Sequence, residues 1–314
     1  MTTLKEFAAR PELLAPGHRA CAGCLGATVV RQVIRAVAPE DAVVVSFATS
    51  CIEVSTTIYP YTAWRIPYIH NAFENSAATL SGTEAAYQFL KRKGKISKNC
   101  KFIAFGGDGG TYDIGLQSLS GAMERGHDLL YVCYDNEAYM NTGIQRSGAT
   151  PKGAWTNTTQ VGSVKKGKDQ QKKDLMQIML GHHLPYAATG SVHNPVQLMK
   201  MVEKALSIEG PKFMDILAPC HRGWRFPIER GVEVAKMAWQ TCFWPVYEVE
   251  NGRYKVRKPK EKLPVIEYLK MQGRFSHLVH NPDDETCSTI LKDLQDETDR
   301  RWDRLLQLEA MSKS

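Results

Sequence analysis

The segment 106–110, GGDGG, closes an apolar run and sets one carboxylate, Asp108, among glycines. Gly107, Gly109 and Gly110 let the backbone approach an anion and aim amide groups at it, while Asp108 offers a hard oxygen ligand. One helix and one strand further on, YDNEAYMNTG at 134–143 crowds Asp135, Asn136, Glu137 and Asn141 into another strand end. Hard oxygens in that place suit a divalent cation bridged to a phosphate. If the two strands are neighbours, Asp108 and Asn136 reach one Mg2+, and the backbone carbonyl of Ala138 completes the protein's share of its ligands.

The soft donors are eight cysteines, at 21, 24, 51, 100, 133, 220, 242 and 287. CAGC, 21–24, fits a thioredoxin-like redox pair, half of a zinc site or part of an iron–sulfur site, and by itself does not choose among them. Zinc would require a second tight pair of ligands, and GHH at 181–183 lacks the spacing. Cys51 and Cys220 each follow a strand. With Cys21 and Cys24 they make four thiolates, the number that one [4Fe–4S] cluster needs. Cys133 lies within an apolar strand and reads as core. Cys100, Cys242 and Cys287 have no companion motif and read as core or surface thiols.

These residues need elements to position them. The runs 42–47, 101–105, 129–134, 212–217 and, more weakly, 186–190 read as strands. Helical patterns fall between them at 26–38, 75–94, 115–126, 174–183 and 194–207. Asn75 and Asn194 are expected N-caps, and Gly94 and Gly126 expected stops. Such alternation predicts an α/β fold with a doubly wound, mostly parallel sheet. Cys51, Asp108, the 135–141 cluster and Cys220 then share its carboxyl edge, where ligands bind. The pattern changes near residue 225. YEVENGRYKVRKP, 247–259, reads as a hairpin turning at Asn251-Gly252, and 283–312 as a charged helix. We expect a cofactor-binding α/β domain over 1–235 and a C-terminal extension, 236–314, packed on it or on a partner subunit.

Bulk composition bounds the function. The chain has 314 residues, 43% hydrophobic, with a net charge of +7. It has no apolar run long enough to span a membrane and opens without the apolar core of a signal peptide, so a cytoplasmic protein is expected. Nothing matches a nucleic-acid-binding module. The densest basic run, KKGKDQQKK at 165–173, reads first as a solvated loop and helix start, with an acidic partner or phosphate as the sharper alternatives.

The pairing of GDG with a strand-end Asn resembles the thiamine diphosphate motif. Together with CAGCLGA, SCIEV, IPYIHNAFENSAA, GDGGTYDIGLQSLSGAMERGH, YDNEAYMNTGIQRSGATPKGA and APCHRGW, the chain resembles the β subunit of pyruvate:ferredoxin oxidoreductases and their 2-oxoacid relatives over roughly residues 18–250. The resemblance implies thiamine diphosphate and Mg2+ on Asp108, Asn136 and Ala138, and one [4Fe–4S] cluster on Cys21, Cys24, Cys51 and Cys220. It also implies that Asn141 faces the reacting end of the coenzyme. It further implies oxidative decarboxylation of pyruvate to acetyl-CoA and CO2, with an alpha-type subunit supplying the activating glutamate. Another subunit would carry further [4Fe–4S] clusters, and ferredoxin would accept the electrons. His221 and Arg222, where pyruvate members have proline next, and Trp155 depart from the pattern. Added positive charge there would suit oxalate, giving an oxalate oxidoreductase. A non-oxidative thiamine-dependent decarboxylase and a zinc-stabilised nucleotide-binding module are the readings from other classes.

Overall fold

The computed structural model describes residues 2–313. Helix α1 (Leu4–Ala9) and α2 (Leu25–Arg35) precede β1 (Ala42–Ala48), α3 (Cys51–Thr56), β2 (Tyr68–Asn71), α4 (Ser76–Arg92) and β3 (Cys100–Gly107). A π-helical turn, Gly109–Ile114, leads into α5 (Leu116–Glu124), then β4 (Leu130–Asp135), α6 (Leu175–Leu180), β5 (Tyr186–Ser191), α7 (Pro195–Ser207), β6 (Lys212–Leu217), α8 (His221–Trp224) and α9 (Gly231–Gln240). The hairpin β7 (Val246–Glu250) and β8 (Arg253–Arg257) is followed by α10 (Val265–Leu269), α11 (Ser276–Val279) and the long α12 (Glu285–Met311).

The strands form one sheet in the order β2-β1-β3-β4-β6-β5-β7-β8, parallel from β2 through β5 and antiparallel in the hairpin. Every residue of β4, β5 and β6 is buried. In β4 the side chains alternate between two apolar layers, Leu130, Val132 and Tyr134 in one and Tyr131 and Cys133 in the other. That is the requirement of a parallel sheet covered by helices on both faces. The doubly wound fold is therefore as expected. The weak run at 186–190 is a central strand because its small residues pack between two layers.

The chain leaves β1 towards β2 on one side and returns to β3 on the other. This reversal opens a crevice beyond the carboxyl ends of β1 and β3, the place where open α/β sheets bind ligands. Register aligns Gly107 with Tyr134, so Asp108 and the residues after Asp135 emerge side by side.

The local expectations meet different outcomes. Asn194 caps α7 by accepting from the Gln197 N–H at 3.1 Å, whereas Asn75 sits at the start of α4 without a side-chain cap bond. Gly94 and Gly126 both adopt positive φ just past their helices, and Asn251-Gly252 takes the left-handed pair that a tight hairpin turn requires. The helix expected near Gly115 begins six residues earlier as the Gly109 π turn, closed by Gly115 N–H to Gly110 O at 2.7 Å. Strand β2 escaped the reading because its four residues, YIHN, bury only Asn71 fully.

The hairpin extends the sheet through β5, and α9 runs through residue 235, so the C-terminal segment shares the main sheet. Helix α12 is tied to β8 by the Val256 N–H, which donates to Glu309 at 3.0 Å.

Candidate metal–diphosphate cleft and thiol cavity

At the carboxyl edge, a cleft of about 300 Å3 is lined by Ser50 and Cys51 after β1, Gly107–Gly110 after β3, and Asn136, Ala138, Tyr139 and Asn141 after β4. Two glycines here are sterically required. A Cβ on Gly109 would sit 2.3 Å from the Tyr139 ring, and one on Gly110 would sit 2.8 Å from the Phe73 carbonyl oxygen. The Tyr139 hydroxyl also donates to Gly109 O at 2.8 Å, fixing the ring against the turn.

Asp108 is fully buried beside this cleft. One carboxylate oxygen accepts from Ser147 Oγ at 2.5 Å and the other from the Asn136 N–H at 3.3 Å. Burial, and then the nearby Asp135 carboxylate, push its pKa well above the usual range. The Asn136 amide oxygen lies 2.9 Å from Ala138 O and 3.0 Å from Asp108 Oδ1. Three acceptors facing one another repel. Either the amide turns its NH2 group to the other two, or a cation sits among the oxygens. Ligands at right angles around Mg2+, each about 2.1 Å away, are separated by about 3.0 Å. Spacings of 2.9 and 3.0 Å suit hydrogen bonds from the turned amide and equally suit neighbouring ligands on an octahedron, so the donor set is compatible with the ion.

A second cavity, of about 570 Å3, is lined by Cys21, Cys24, Cys51 and Cys220. Cys24 and Cys220 occupy the N-cap positions of α2 and α8, and Cys51 is the first residue of α3. Burial raises the Cys24 and Cys220 pKa values, opposed by the N–H groups of Ala27 and Gly26 at the first and of Gly223 and Arg222 at the second. Burial, then the thiols of Cys220, Cys24 and Cys21, also push Cys51 up. Cys21 is exposed, whereas the other three are half-buried. Among the described residues no three His, Cys, Asp or Glu side chains converge as ligands of one ion. The four thiols line one cavity, with helix N–H groups directed at two of them, a donor set compatible with an anionic centre.

Cys51, Tyr134, Asn136 and Asn141 line both cavities, so the wall between them is one layer of residues. Tyr134 fills that wall. Its ring is 3.3 Å from where a Gly26 side chain would begin, and its hydroxyl accepts from the Ile52 N–H at 3.3 Å.

The chain is similar to proteins of known type. The family described as "Thiamine pyrophosphate enzyme, C-terminal TPP binding domain" matches residues 49–216. The pyruvate synthase subunit PorB of Thermotoga maritima is 53% identical over 98% of this chain and 96% of its own length. The chain belongs to the 2-oxoacid:ferredoxin oxidoreductase family. Within that family, PorB of Methanocaldococcus jannaschii is 54% identical over 90% of this chain and 94% of its own. The ketoisovalerate oxidoreductase subunit VorB of Pyrococcus abyssi is 41% identical over 93% and 92%. A solved 2-oxoglutarate:ferredoxin oxidoreductase from Magnetococcus marinus shares the fold, with a TM-score of 0.56 and 17% identity over 71% of this chain and 79% of that one. Membership of a thiamine-dependent oxidoreductase family replaces the zinc-stabilised nucleotide module as a reading. No helix among the described residues is long and apolar enough to cross a membrane.

Other expectations shift. Trp155 does not line the cleft. Its indole lies under the Arg225 guanidinium, whose Cζ is 3.7 Å from the ring centroid. His221 lines the thiol cavity, away from the cleft. The basic run is the larger correction: only part of it is solvated. Lys165 is exposed, but Lys168 is buried and donates to Thr150 O at 2.5 Å and Ser147 O at 3.3 Å. Burial lowers its pKa to about 8. Lys172 reaches Asp135 at 2.6 Å and Glu137 at 3.1 Å, and Lys173 reaches the Tyr112 carbonyl. Arg274, which no motif pointed to, is buried and donates to Glu137 at 2.5 Å. The available signal was Asp135 and Glu137 themselves, since two acids closing a wholly buried strand require cations from elsewhere.

Proposed function

We propose that this chain is the coenzyme-binding subunit of a complex that oxidatively decarboxylates pyruvate to acetyl-CoA and CO2 and delivers the electrons to ferredoxin in the cytoplasm. The observation that carries the reading is the meeting of the Asp108 carboxylate, the Asn136 amide and the Ala138 carbonyl within about 3 Å, one layer of residues from a four-thiol cavity. Asp108, Asn136 and Ala138 O would hold Mg2+, and Gly109 and Gly110 would give the diphosphate close access to the backbone. Thiamine diphosphate, when bound, supplies the electron sink on which a 2-oxo acid loses CO2.

This chain's residues place and shield that chemistry. Tyr139 and Phe73 wall the cleft, and Asn141, exposed at its mouth, would face the coenzyme's reacting end. Cys21, Cys24, Cys51 and Cys220 would hold one [4Fe–4S] cluster behind the Tyr134 wall, close enough to accept electrons. Among the described residues no glutamate lines the cleft, which supports an alpha-type partner subunit as the source of the activating carboxylate. A further subunit would carry the [4Fe–4S] clusters that lead to ferredoxin. The reading of pyruvate as substrate, over oxalate, is supported by the pyruvate synthase PorB subunits to which the chain is similar over most of its length.

The test is a substrate screen of the anaerobically purified complex with pyruvate, oxalate and 2-oxobutyrate, alongside coenzyme and iron analysis. Pyruvate-dependent, CoA-dependent ferredoxin reduction is expected. Turnover of oxalate without CoA, or decarboxylation with no iron present, would overturn the assignment.

A further inference from the structure

Glu137 separates two of the candidate metal ligands and has a left-handed backbone, with φ of 63°. A residue with a side chain rarely adopts this conformation unless its surroundings impose it. It also turns the chain so that the Asn136 side chain and the Ala138 carbonyl face the same point.

Every polar group of Glu137 is held. Its N–H donates to Asp135 Oδ1 at 2.8 Å, and its carbonyl accepts from Thr150 Oγ1 at 2.7 Å. One carboxylate oxygen accepts from Lys172 at 3.1 Å and the other from Arg274 at 2.5 Å. Lys172 also holds Asp135 on the near side of Asn136. The Arg274 guanidinium, with its Cζ 3.9 Å from the Trp224 ring centroid, supports that indole, whose N–H donates to Asn136 O at 2.8 Å. Two cations from distant segments thus grip the residues on either side of Asn136. One comes from the basic run, the other from the loop before α11.

We propose that Lys172 and Arg274 are positioning residues for the Mg2+–diphosphate site. They hold the Asp135–Glu137 turn in the shape that presents Asn136 and Ala138 oxygens together with Asp108. The inference rests on the coenzyme assignment above. Neither side chain lines the cleft, so each acts through Glu137 and Asn136.

The experiment is a Mg2+ titration of thiamine diphosphate binding to the complete complex, followed by near-UV circular dichroism, with iron content and Tm recorded in parallel. In the wild type, saturable Mg2+-dependent binding is expected. Its absence would overturn the coenzyme assignment itself, and this inference with it. Arg274→Gln and Lys172→Met are expected to raise the Mg2+ midpoint by about 10- to 100-fold, the usual effect of losing an outer support of a metal ligand. Lys172→Arg should recover much of the loss, and iron content should stay at the wild-type level. Lys172→Met alone strands buried carboxylates and threatens folding. The charge-matched Lys172→Met/Asp135→Asn variant then carries the test. Lys152→Met, which breaks only the pair with Asp293, should leave the midpoint unchanged. Folded Arg274→Gln and Lys172→Met/Asp135→Asn variants with a midpoint within about twofold of wild type would overturn the proposal.

Discussion

Around the oxygen cleft, side chains reach in from far along the chain. Ser147 bonds Asp108, Thr150 and Lys172 bond Glu137, and Arg274 arrives from the C-terminal part of the fold. Around the thiol cavity the support is local. The half-buried cysteines sit at helix starts, and the N–H groups directed at Cys24 and Cys220 lie within three residues of each sulfur. At the first site, the Asn136 amide oxygen lies 2.9 Å from Ala138 O and 3.0 Å from Asp108 Oδ1. At the second, burial and then the neighbouring thiols favour the neutral form of Cys51, and burial favours that of Cys24 and Cys220. A hard ion with near-ideal octahedral demands needs a rigid cage. A cluster that binds thiolates brings much of its own geometry.

The largest effect should separate the two sites. Asp108→Ala is expected to abolish thiamine diphosphate retention while leaving iron content near that of the wild type, as read by coenzyme release and metal analysis. Loss of both together would show that the sites do not form independently. Cys220→Ser should do the reverse, keeping the coenzyme but losing cluster iron and ferredoxin reduction. Full electron transfer in that variant would remove Cys220 from the ligand set.

A smaller effect tests how rigid the oxygen cleft is. Gly109→Ala places a methyl group against the Tyr139 ring, and overpacking of this kind costs roughly 1–3 kcal/mol. Calorimetry should show coenzyme affinity reduced by about 5- to 150-fold. An unchanged affinity would mean that the ring yields and the cleft is soft.

The smallest expected effect concerns Asp215, behind the cleft. Burial, then the Asp135 carboxylate, raise its pKa to about 7, while the Tyr112 hydroxyl donates to it at 2.5 Å. An acid raised on folding keeps a proton that the unfolded chain has released. Its contribution is therefore most favourable below about pH 4 and is lost as pH rises towards 7. Asp215→Asn should flatten the pH dependence of Tm between pH 4 and 7 relative to wild type. Parallel curves for the two proteins would place the Asp215 titration elsewhere.

Legibility in the sequence follows the same division. Cys51, GGDGG, the 135–141 cluster and Cys220 each lie at a strand end, so local pattern placed them at one edge of the sheet. The cleft's outer supports were hidden because their partners are distant. Lys168 and Lys172 lie in a run whose density of charge signals solvent, and Arg274 stands alone in MQGRFS. Their burial is dictated by carboxylates and carbonyls that come near them only when the chain has folded. Asn75 shows the converse. Its residue type suits a cap, but its backbone, at φ −110° and ψ 7°, leaves the side chain without the cap bond.

Of the four sulfurs, only that of Cys21 belongs to an exposed residue. On the reading given above, iron delivered after synthesis would enter past this residue. Dioxygen would take the same doorway, so oxidative loss of the metal would begin at the CAGC turn, with the coenzyme on the far side of Tyr134 still in place.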